Sequence, residues 1–134
     1  MHAYVLDSGI KAGHSEFGGR ADVAWDAFGG DGSDRSGHGT AVAGSIGGTT
    51  VGVAKQVSLH AVEINNCGGD YGATVSAAIA GMDRVAENHV KPAVANVSYN
   101  WLRSDTVNDA AGKISDNPSD HGGTPNLLLN TAGL

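Results

Sequence analysis

The chain has 134 residues, a mass of 13.5 kDa and a net charge of -6. That length suits one domain, or a piece of a larger one, able to bury a real core. The 16% of charged residues is too few for a disordered acidic tail, and the acidic balance leaves no basic stripe for nucleic acid. Glycine, at 21 residues, is the outlier, and without a Gly-X-Y period it excludes collagen. With aromatics at 5%, the core falls to Ala, Val, Ile and Leu. No apolar run approaches the ~20 residues of a membrane span. The start, Met1-His2-Ala3-Tyr4, lacks the basic and apolar regions of a signal peptide.

Ala3 to Leu6 is a short apolar run ending at Asp7-Ser8-Gly9, which predicts a buried strand and a turn. Gly29 to Gly39 is a polar, glycine-rich loop, and the small residues Thr40 to Ile46 after it predict a short helix packed tightly on a sheet. Val57 to Ile64 alternates, with Val57, Leu59, Ala61 and Glu63 on one face, and predicts a strand. Asn65 to Gly72 reads as a loop. Thr74 to Asn88 predicts a helix with Thr74 as N-cap and an apolar stripe of Val75, Ala78, Ile79, Met82, Val85 and Ala86. Pro92 leads into a strand at Ala93 to Val97, a weaker helix follows at Asp105 to Ile114, and Leu127 to Leu129 predicts a last strand.

Strands alternating with helices predict an α/β fold with a mostly parallel sheet flanked by helices, as a single unit over 1–134. The last strand leaves little chain to cover the sheet. The sequence therefore reads as incomplete at the C-terminal side, and cut at the N-terminal side, where it begins almost inside a strand.

Two residues stand where such sheets do chemistry. Asp7 ends a buried strand, at the edge where parallel sheets bind ligands. His38 lies between two glycines at a loop-to-helix junction. An Asp that accepts from a histidine Nδ1–H fixes the tautomer and supports the imidazolium that forms. On composition and spacing alone, a turn-capping Asp7 and a surface-loop His38 are the favoured reading of the same residues.

The strings Y-V-L-D-S-G-I, H-S-E-F-G-G-R-A, G-H-G-T-A-V-A-G-S-I-G-G, G-V-A-K, I-A-G-M-D and P-A-V-A-N-V-S follow one another in order. Together they resemble the subtilisin-like serine peptidases, the subtilases, and within them the proteinase K and aqualysin branch. The likeness runs from Tyr4 to about Ser98 and more loosely beyond. It implies the three-layer subtilisin-like fold, with 1–134 as part of a catalytic domain, and peptide-bond hydrolysis by an Asp-His-Ser triad. Asp7 and His38 match the first two members in chain order. The third is not here, because none of Ser45, Ser58, Ser76, Ser98, Ser104, Ser115 and Ser119 has the G-T-S-M-A context of the family nucleophile.

The resemblance implies a substrate-binding strand at Ser98, Tyr99 and Asn100. There the usual S-L-G-G becomes Ser98-Tyr99-Asn100-Trp101, which crowds the approach of an extended peptide. Ala41 replaces the second His of G-H-G-T-H. Leu134 stands where Thr131-Ala132-Gly133 would lead to the oxyanion-hole Asn. Cys67 matches one half of a branch-specific disulfide whose other half is Arg35, so it is expected as a lone thiol in a surface turn. The likeness further implies a polypeptide substrate, a secreted monomer, no nucleic-acid or membrane partner, and no cofactor. Structural calcium belongs to the family at large, with no metal site assigned in this chain.

Asp31 and Asp34 offer too few oxygens for calcium and read as a solvated turn. His2, His14, His60, His89 and His121 have no metal spacing and read as bystanders. Asn96-Val97-Ser98 is a sequon, expected to lie unused within the sheet. Two rivals to the peptidase remain: a non-catalytic binding or decoy module of the same family, and a nucleotide-binding α/β domain. The second lacks any phosphate-loop motif.

Overall fold

The computed structural model describes residues 1–66, 74–98, 105–115 and 127–131. Five parallel strands form one sheet in the order β2-β3-β1-β4-β5. They are β1 (His2–Asp7), β2 (Ala21–Asp26), β3 (Ser58–Glu63), β4 (Ala93–Val97) and β5 (Leu127–Thr131). Three helices connect them: α1 (His38–Gly47), α2 (Val75–Asn88) and α3 (Asp105–Ser115). This is the α/β arrangement expected from the alternation of strand and helix patterns.

The sheet is covered on both faces. Ala3, Val5, Leu59 and Ala61 pack with Ala43 of α1 on one side. Tyr4, Leu6, Val62 and Ile64 pack on the other with Ala78, Met82 and Val85 of α2 and Val107 and Ala110 of α3. Two buried faces explain why β1 reads as an unbroken apolar run. Helix α2 rolls slightly from its predicted stripe. Ala77 and Gly81 turn inward and Val75 is 39% exposed. The reason lies at Gly81, where an added Cβ would sit 2.7 Å from Ile64 Cγ2. Only glycine lets the helix approach the sheet so closely.

Strand β2 has no counterpart in the reading above. It is an edge strand with a register shift between Val23 and Trp25; Asp22, Val23 and Ala24 are exposed and the rest of it is half-buried. A single turn of 3-10 helix at Ser15–Phe17 leads toward it.

The steps β2–α1–β3, β3–α2–β4 and β4–α3–β5 all move the same way across the sheet. Yet α1 lies on the face opposite α2 and α3. The first crossover therefore has the opposite hand to the other two. Since crossovers are overwhelmingly right-handed, β2–α1–β3 is the exception.

Candidate active site at the C-terminal edge of the sheet

Asp7 is the last residue of β1 and is 2% exposed. His38 is the first residue of α1, and its side chain is 60% exposed. Asp7 Oδ1 lies 2.7 Å from His38 Nδ1 and also accepts from Ser8 N at 2.7 Å. An ionised carboxylate only accepts, so Nδ1 carries the hydrogen and the Nε2 lone pair is free in the neutral ring. No described residue bonds Nε2. One nitrogen is thus held by a buried carboxylate, and the other is presented at the surface.

The local sequence explains this contact. An alanine Cβ at Gly39 would lie 2.1 Å from Gly9 O and 3.2 Å from Asp7 Oδ1. Gly9 has φ +94, and its own Cβ would meet Gly32 O at 2.5 Å. The glycines of D-S-G and G-H-G are where the end of β1 and the start of α1 touch backbone to backbone.

Around this contact lies a network that the sequence reading missed. Asp34 is not in a solvated turn. It is 3% exposed and accepts from Ser8 Oγ (2.9 Å), Ser36 N (2.9 Å), Gly37 N (2.8 Å), Thr40 N (2.9 Å) and Thr40 Oγ1 (2.5 Å). Ser8 Oγ in turn accepts from Gly39 N and Ser36 Oγ, and Ser36 Oγ accepts from His38 N. The N–H groups that open α1, which no helical carbonyl can reach, are all met by these side chains. A carboxylate there also suits the helix dipole. The available signal was an Asp placed four residues before a glycine-flanked His at a helix start, a capping pattern spread over a loop. Burial alone would push the Asp34 carboxyl up, but the Thr40 hydroxyl and amide, with Gly37 and Ser8, hold it below its ordinary value.

This environment does not fit a cation. Both Asp34 oxygens face N–H or O–H donors, and Asp31 pairs with Arg35 at 3.0 Å. The histidines are less idle than expected. His60 Nδ1 bonds Asp22 Oδ1 at 2.6 Å, and His60 Nε2 bonds His2 Nδ1 at 2.8 Å, which ties β2, β3 and β1 together. His14 accepts from Glu16 N, and the His89 ring bonds Val85 O.

Of the expected substrate strand, Ser98 is half-buried beyond the end of β4, where its Oγ accepts from Asn96 Nδ2 at 2.7 Å. That bond engages the sequon asparagine. Tyr99, Asn100, Trp101, Cys67, His121 and Leu134 lie outside the described residues.

Comparison with known proteins gives this edge a family context. The subtilase family model matches residues 4–129. The "Extracellular serine proteinase" of Thermus sp. (strain Rt41A) is 54% identical over 112 residues, covering 82% of this chain and 27% of that protein. "Proteinase T" of Parengyodontium album is 45% identical over 120 residues, covering 84% of this chain and 40% of that protein. A crystal structure of a cold adapted subtilisin-like serine proteinase superposes with a TM-score of 0.76 at 34% identity, over 97% of this chain and 45% of the other. The chain thus spans less than half the length of each of these relatives, and its α/β fold is that of the superposed structure. With the family match running from within β1 into β5, this chain belongs to the subtilase family.

Proposed function

We propose that the chain supplies the Asp and His members of a serine-peptidase triad acting on polypeptides. The 2.7 Å contact between buried Asp7 and exposed His38 carries this reading. In the proposed cycle, Asp7 fixes the ring with Nδ1 protonated. His38 Nε2 takes the proton from a serine hydroxyl as that oxygen attacks the peptide carbonyl. The imidazolium, stabilised by Asp7, then gives the proton to the leaving amine. The acyl-enzyme is hydrolysed by the same steps with water as the nucleophile. No cofactor enters this route.

The nucleophile belongs to a segment outside these 134 residues, which form part of a catalytic domain in this reading. The 134-residue chain alone is accordingly inert by the serine route. In this reading the protein is an extracellular monomer; the name "Extracellular serine proteinase" of the Thermus relative supports the location. A non-catalytic relative is the second reading, favoured by Asn100, Trp101 and Leu134 at positions where the family keeps glycines and the oxyanion Asn.

The test has two arms. A fluorophosphonate probe should leave the 134-residue chain unmodified, and stoichiometric labelling of one of its serines would refute the assignment. In a protein extended to include a G-T-S-M-A segment, Asp7→Asn should lower kcat by about 10⁴-fold and His38→Ala by about 10⁶-fold. The first is the scale known for Asp→Asn in a chymotrypsin-like triad, and the second for loss of the His in subtilisin, itself a member of this family. Full activity after His38→Ala would overturn the mechanism. A stop codon directly after Leu134 would favour the non-catalytic reading.

A further inference from the structure

Glu63 ends β3 and stands in register between Asp26, at the end of β2, and Asp7, at the end of β1. Three carboxyl groups therefore close three adjacent strands. Glu63 is 4% exposed, and its Oε2 is buried with no hydrogen-bond partner. An ionised carboxylate in that position would be poorly solvated, so the group holds its proton. Burial first, and then the neighbouring Asp26 charge, push its pKa up to about 7. Asp31 pushes the same way. Arg35 opposes them, but its guanidinium is already bonded to Asp31 and to Ser33 O.

Asp26 is the other half of the pair. Its Oδ1 accepts from Phe28 N at 2.7 Å, and its Oδ2 from Gly32 N at 3.1 Å. Gly32 O accepts from Ile10 N just past the end of β1. Asp34 and the network that seats His38 follow directly. Asp26 thus fastens one end of a loop whose other end carries the histidine.

We propose that Glu63 is a positioning residue: in its protonated form it donates a hydrogen bond to Asp26 and so latches the 26–37 loop in the conformation that sets His38 against Asp7. Loss of that proton puts two carboxylates side by side with no cation between them. Asp26 then releases Gly32 and the loop loosens. A carboxyl whose pKa rises on folding stabilises the fold fully below its unfolded value of 4.5, and that contribution is lost as pH rises through about 7. The latch depends on the geometry of the Asp7–His38 contact and does not require that the pair catalyse anything.

Carboxyl carbon NMR and amide exchange on the full chain test it. The Glu63 carboxyl should titrate near 7. Exchange at Gly32 and Gly37, corrected for intrinsic chemistry, should quicken about tenfold or more across the same midpoint. Glu63→Gln stays neutral and can still donate to Asp26, so it should keep exchange slow throughout. A wild-type midpoint near 4.5, or the same quickening in Glu63→Gln, would overturn the latch. Should Glu63→Gln fail to fold, Asp26→Asn removes the neighbouring charge and should lower the Glu63 midpoint, and an unchanged midpoint is equally fatal. None of these readouts involves peptide hydrolysis, so the latch and the peptidase reading fail separately.

Discussion

Removing the Asp34 side chain would strip acceptors from five donors at once, but the five are not equal. Ser36 and Gly37 are exposed, so water can replace the carboxylate at their amides. The Ser8 hydroxyl is 1% exposed and the Thr40 amide is half-buried, so these two keep most of the penalty. A buried donor left unmet costs about 1–3 kcal/mol. A carboxylate lost from a helix N-terminus adds about 0.3–1 kcal/mol. Asp34→Ala should therefore destabilise the chain by about 3–5 kcal/mol, a large share of the 5–15 kcal/mol typical of a domain. Asp34→Asn keeps one acceptor oxygen and should lose about half as much. Urea unfolding followed by circular dichroism would measure both. The carboxyl is held below 3.8 in the fold, so its contribution is present above that value and is lost as pH falls through the folded pKa. The acid limb of the wild-type stability curve should be steeper than that of Asp34→Asn. A loss under about 1 kcal/mol for Asp34→Ala would show that Asp34 is not the organiser of the helix start.

Gly39→Ala should lower the thermal midpoint despite alanine's higher helix propensity, because its Cβ would press on Gly9 O at 2.1 Å. Overpacking of this kind costs about 1–3 kcal/mol, and an unchanged or raised midpoint would contradict the backbone contact described. Thr74 Oγ1 accepts from Ala77 N at 3.1 Å, so Thr74→Ala should cost about 1 kcal/mol in urea unfolding while Thr74→Ser restores it. Equal midpoints for wild type and Thr74→Ala would remove Thr74 as the cap of α2.

What the sequence disclosed follows from where each signal is stored. Strand β3 and helix α2 announce themselves because burial on a fixed face leaves a period in the side chains, and β1 because burial on both faces leaves an unbroken apolar run. Thr74 was legible as a cap by its residue type, and the strand Ala93–Val97 through the Pro92 that leads into it. Helix α1 was expected from Thr40 and begins at His38, since its first turn is held by Asp34, Ser8 and Ser36 instead of by helix formers. Strand β2 left little period because its partly exposed faces place no strong demand on residue type. Asp7 and His38 were legible through glycines that only a close backbone crossing requires. Asp34 and Glu63 were not, because a lone acidic residue looks the same in a solvated turn and in a buried cluster. Their roles exist only once Ser8 is brought beside Asp34 and Asp26 beside Glu63 from distant parts of the chain.

The central position of β1 governs the order in which this edge can assemble. Val5 pairs with Ala61 on one side and with Asn96 on the other. During synthesis β1 emerges before either partner, with apolar side chains on both faces and both backbone edges open. Pairings so distant in sequence make folding slow and leave unpaired strand edges exposed meanwhile. Asp7 shares that wait: it stands in register with Glu63 of β3, and Leu6 before it pairs with Val97 of β4, so the surroundings that bury its carboxylate close only after β4 has been made. Recovery of the Asp7–His38 contact on refolding should coincide with closure of the whole sheet, not with formation of α1.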